Sequence, residues 1–61
     1  MKKVFYKDNK RYILFKYFKE GYAINEQDNE KILNFKTLRK AEDYLIKQEI
    51  NLNDFIKRYD N

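Results

Sequence analysis

The 61-residue chain has no cysteine, histidine, serine, proline or tryptophan, one glycine (Gly21) and one threonine (Thr37). Each absence removes a class of chemistry. Without cysteine there is no disulfide framework, and without cysteine or histidine the common zinc and iron–sulfur sites are excluded. Ser–His and Cys–His nucleophilic arrangements cannot be built. Carboxylates remain for acid–base work, but the adjacent pair Glu42-Asp43 falls in a helical pattern, where neighbouring side chains point about 100° apart. A lone glycine cannot make a phosphate-cradling loop, and the turn Asn25-Glu-Gln-Asp-Asn-Glu30 lacks the central glycine and ordered acids of an EF-hand. The sequence therefore predicts a non-enzymatic protein with no metal and no cofactor.

Long apolar runs are also missing. None approaches the roughly 18 residues of a membrane span, and no signal-like stretch follows Met1-Lys2-Lys3, so the expectation is a soluble cytoplasmic protein without a membrane partner. What is present is core-forming material: 43% of residues are hydrophobic and 18% aromatic, too much for a disordered tail even though 39% are charged. One domain, residues 1–61, is expected. A chain this short buries only about 60% of the surface it exposes unfolded, so its stability must come from packing, within one chain or across a dimer. The wealth of Lys, Asn, Ile, Tyr and Phe, all with A/T-rich codons, points to a low-GC bacterium, its phage or another mobile element.

The charge is unevenly spread. Residues 1–19 carry seven Lys/Arg against Asp8, residues 20–30 carry four acids and no base, and residues 31–61 carry seven bases and five acids, for a net +4. The stretch Lys10-Arg-Tyr-Ile-Leu-Phe-Lys-Tyr-Phe-Lys19 sets four bases among six rings and aliphatic groups and holds no acid.

Turn formers at Asp8-Asn9, Glu20-Gly21 and Asp28-Asn29 separate segments rich in Tyr, Phe, Ile and Val, which predicts an antiparallel β-meander of three or four strands within 2–35. If each turn has two residues, Lys7 faces Lys10, Lys19 faces Tyr22 and Gln27 faces Glu30. Parity then places Val4, Tyr6, Ile13, Phe15, Tyr17, Tyr22, Ile24, Leu33 and Phe35 on one face, expected to be the core. The opposite face receives Phe5, Tyr12, Leu14, Phe18, Ala23 and Ile32 among Lys3, Lys7, Lys10 and Lys16 and the amides of Asn25, Gln27 and Asn34.

From Lys36 the period changes to that of a helix within 37–49, with Thr37 as N-cap and Leu38, Ala41, Tyr44, Leu45 and Gln48 on one arc. A short second helix within 52–60 is expected from the stripe Leu52, Phe55, Ile56 and Tyr59, capped by Asn51. The fold class is thus α+β: an antiparallel meander packed on one helix, with a short C-terminal helix.

Lys3, Lys7, Lys10, Tyr12, Lys16 and Phe18 form the candidate binding set, because cations neutralise phosphates while rings stack on exposed bases. The same composition serves a plain structural purpose, since lysine protects strand edges and rings on both faces invite a second subunit. Two classes stay open. One is a small DNA- or RNA-binding protein; the other is a protein-binding inhibitor or regulator, for example a phage factor against a host or defence protein, or a structural homodimer.

The phrase Phe35-Lys-Thr-Leu-Arg-Lys-Ala41-Glu-Asp-Tyr44 resembles the entry to the helix in AP2-like arm-type DNA-binding domains of tyrosine integrases. About ten residues carry the likeness. The resemblance implies a sheet whose exposed face enters the DNA major groove, with Lys7, Lys10, Tyr12 and Lys16 as candidates. Asn34 stands where that family usually has glycine, and the fourth strand and the segment 51–61 are additional to its pattern.

Overall fold

The computed structural model describes residues 2–16, 19, 21–27, 31–55 and the backbone of 57–59. Asp8 and Asn9 adopt φ of 51° and 64°, the left-handed pair that a two-residue hairpin turn requires and that Asp and Asn tolerate better than most side chains. They join β1 (Lys2–Lys7) to β2 (Lys10–Lys16), with Lys7 opposite Lys10 as expected. The hairpin of β3 (Tyr22–Glu26) and β4 (Lys31–Phe35) also has the expected register, with Glu26 opposite Lys31.

The middle connection differs. Tyr22 pairs with Lys16 rather than with Lys19, so the loop spans five residues, 17–21, instead of two. Gly21 has φ of 151°, a conformation open to glycine, and a Cβ there would overlap the carbonyl oxygen of Phe35. This glycine seats the chain against the end of β4 and is not the tip of a tight turn. A register offset of three residues is odd, so it reverses the faces of β1 and β2 relative to β3 and β4.

The face shared by the helix therefore carries Phe5, Tyr12, Leu14, Tyr22, Ile24, Glu26, Leu33 and Phe35. Val4, Tyr6, Ile13 and Phe15, expected on the core face, lie on the other side, and Tyr17 is outside the described residues. Phe5, Leu14, Ile24, Ala41 and Leu45 are each at most 1% exposed and make the centre of the core, which Tyr12 and Ile50 complete.

Helix α1 (Leu38–Lys47) begins where the Thr37 hydroxyl accepts a hydrogen bond from the Lys40 N–H at 3.2 Å. It buries Ala41 and Leu45 against the sheet and half-buries Leu38 and Tyr44. At its end Glu49 takes φ of 61°, and the N–H groups of Glu49 and Ile50 donate to the carbonyls of Ile46 and Leu45 at 2.8 and 3.1 Å. This is a Schellman closure with glutamate in the usual glycine place, and its C-terminal apolar residue, Ile50, lands in the core beside Leu45.

Among the described residues the predicted second helix is not found: Lys57–Tyr59 form a strand instead. The Asn51 side chain accepts from the Asn53 N–H at 2.9 Å and the Asn51 carbonyl accepts from the Asp54 N–H at 2.9 Å, a local turn that releases the chain rather than starting a helix. Leu52 and Phe55 pack on the core, and the chain continues into β5 (Lys57–Tyr59), antiparallel to β1 with Val4 opposite Lys57. A helix of two turns is marginal alone, whereas the edge of β1 offers unpaired backbone groups to a returning strand. The sheet order is β4-β3-β2-β1-β5. The expected meander has four strands, and a fifth replaces the C-terminal helix of the predicted fold.

Candidate binding face on the open side of the sheet

Among the described residues singled out from sequence, Lys3, Lys7, Lys10, Tyr12 and Lys16 lie on the helix-covered side of the sheet. Tyr12 is 4% exposed and belongs to the core. Lys7 donates from Nζ to the Glu49 carbonyl oxygen at 2.8 Å and stands 3.7 Å from the Glu49 carboxylate, a cation placed where the helix dipole is negative. Lys3 holds its ammonium 5.3 Å from the centroid of the Phe55 ring. Lys10 and Lys16 are exposed at opposite ends of β2, about 20 Å apart at roughly 3.3 Å per residue. Phe18 lies outside the described residues. The set is thus not gathered into one platform, because the helix and the segment 50–55 occupy the middle of that side.

The opposite side holds the arrangement that the sequence suggested for the first. From β1 it presents Lys2, Val4 and Tyr6; from β2, Arg11, Ile13 and Phe15; from β3, Ala23 and Asn25; from β4, Ile32 and Asn34. Among these described strand positions there is no acid. Direct cross-strand pairing puts Tyr6 beside Arg11 and Phe15 beside Lys2, so each ring has a cation as its partner. Tyr6 is 56% and Ile32 58% exposed, Ile13, Phe15 and Asn25 are half-buried, and Arg11, Lys2 and Asn34 are exposed. Ala23, flanked in register by Phe15 and Asn34, and Val4, opposite Ile13, are buried small residues that make the floor. No described helix packs on this side.

The buried polar group of the other side has a structural partner. Glu26, 5% exposed, accepts a hydrogen bond from the Tyr44 hydroxyl, which ties the third strand to the helix. Burial, followed by the hydrogen bond and the negative charge of Glu26, pushes Tyr44 up to about 12. A cleft lined by Tyr6, Lys7, Glu49, Ile50, Asn51 and Asp54 encloses about 130 Å³, well below the roughly 300 Å³ at which small-molecule pockets begin. Among the described residues no helix is long and apolar enough to cross a membrane.

No family, curated protein or solved structure matches the chain. The chemistry of the open face is therefore the main guide to function. Sequence parity had already grouped Val4, Tyr6, Ile13 and Phe15 together. What it missed was that this group lies on the side away from the helix, which follows from the five-residue length of the loop before Tyr22.

Proposed function

We propose that the chain is a non-enzymatic nucleic-acid-binding protein that uses the open side of its sheet, with Tyr6, Arg11, Phe15 and Lys2 as the principal contacts. The observation that carries this reading is the pairing of each ring with a cation on a face whose described strand positions lack acids. Cations there neutralise phosphates, rings and aliphatic groups meet bases and sugars, and the amides of Asn25 and Asn34 add donors and acceptors for base edges. The local resemblance to arm-type DNA-binding domains points the same way, through an exposed sheet face. Titration of short oligonucleotides, single-stranded and duplex, at about 50 mM salt tests it: log affinity should fall linearly with log salt, and absence of binding to any of them overturns it.

A second reading has its own support. Tyr6 and Ile32 are more than half exposed on a face that also holds Ile13 and Phe15, and aromatic and aliphatic groups beside an arginine are the makings of a protein interface. On that reading the partner is a host or defence protein, or a second copy of this chain. Sedimentation at high concentration separates the homodimer from the rest.

A further inference from the structure

We infer that the open face is built for unpaired rather than duplex nucleic acid, an inference that rests on the nucleic-acid reading above. The balance of apolar to charged groups on the face decides it. Its centre is Ile13 and Phe15 over a floor of Val4 and Ala23, with Tyr6 and Ile32 exposed around them, whereas its cations on β1 to β4 are Lys2 and Arg11, with Lys57 of β5 opposite Val4 in the register. A duplex presents phosphates and the polar edges of stacked bases, so docking it here would set an apolar centre against polar groups. That arrangement loses their hydration and leaves them without partners. An unpaired strand instead presents the flat apolar faces of its bases, which are the surfaces that rings and isoleucines cover best.

The spacing of the rings suits such a strand. The pair Tyr6 and Arg11 is four ladder positions from the pair Lys2 and Phe15, about 13 Å along the strands. Each pair sets a ring beside a cation in the register, with Val4 and Ile13 between them, and the more exposed ring is Tyr6. An extended strand can therefore run along β1 and β2 with a base at each end. Tyr6 stands at the border of the face, where it also lines the cleft beside Lys7, and its exposure leaves room for a base. Because stacking and phosphate neutralisation use groups common to DNA and RNA, single strands of the two bind within a few fold of each other.

The test is fluorescence anisotropy with labelled 15-nucleotide single strands of mixed sequence, DNA and RNA, and with the DNA duplex of the same sequence, all at about 50 mM salt. The single strands should bind at least tenfold more tightly than the duplex. Tyr6→Ala should weaken single-strand binding by roughly 5- to 150-fold, the range for losing one stacked base, and Tyr6→Phe should restore most of it. Because Tyr6 is exposed, thermal melting of Tyr6→Ala should match the parent chain. Duplex binding as tight as single-strand binding, or single-strand binding indifferent to Tyr6→Ala in a folded variant, overturns this inference and leaves nucleic-acid binding standing. Binding of none of the three probes overturns the nucleic-acid reading itself, and this inference with it.

Discussion

Tyr44, on the inner arc of the helix, donates its hydroxyl hydrogen bond to the buried carboxylate of Glu26 on β3. The contact spans the only helix–sheet interface among the described residues. A carboxylate so deeply placed needs partners; this tyrosine supplies one, and Lys31 stands directly opposite it in the β3–β4 register.

Removing that hydroxyl should be costly in a way its size does not suggest. Tyr44→Phe keeps the ring against Phe35, 5.7 Å between centroids, but takes a donor from a buried acid, so a loss of about 1–3 kcal/mol is expected in urea unfolding at neutral pH.

The same pair sets an alkaline limit. Tyr44 is raised from 10.0 to about 12 in the fold, so the folded chain holds its proton more tightly than the unfolded chain does. The stabilisation is fully present below pH 10 and is lost progressively as pH rises from about 10 to about 12. Denaturant midpoints across that range should fall more steeply for the parent than for Tyr44→Phe, and parallel curves would count against the coupling.

Gly21→Ala should destabilise by about 1–3 kcal/mol, since its Cβ would meet the Phe35 carbonyl oxygen and its φ of 151° suits no L side chain. A wild-type melting temperature for this variant would show that the loop before β3 is seated differently.

Two phenylalanines distinguish the faces. Phe5→Ala, at 1% exposure, should cost about 3–5 kcal/mol, most of the stability expected of so small a domain. Phe15→Ala, half-buried on the open side, should cost clearly less, and equilibrium unfolding of the two variants makes the comparison directly.

That contrast also shows what could be read in advance. Strand and helix periods, the Asp8-Asn9 turn and the Thr37 cap are local features, and local physics governs them, so β1 to β4 and α1 were legible. Which face the helix covers depends on the length of one loop, and neither Glu20 nor Gly21 declares whether it is the tip or the end of that loop. The C-terminal segment misled for a related reason. Leu52 and Phe55 have helical spacing because both reach the core, but the Asn51 turn and the open edge of β1 decide the backbone that carries them. The mixture of rings and cations was legible as a pattern, but parity set Phe5 and Tyr12 on the open side and Tyr6 and Phe15 in the core, because the sequence does not distinguish these rings.

The most direct measurement compares Lys10→Ala with Arg11→Ala. These neighbours are both exposed cations on β2 and lie on opposite faces, Lys10 on the helix side and Arg11 beside Tyr6 on the open side. Single-strand affinity is measured as a function of salt for both variants, with melting curves to confirm the fold. Arg11→Ala should weaken binding and flatten the slope of log affinity against log salt by about one unit, while Lys10→Ala should leave the slope nearly unchanged. A slope that responds to Lys10 and not to Arg11 would contradict the account and return the interface to the helix side of the sheet.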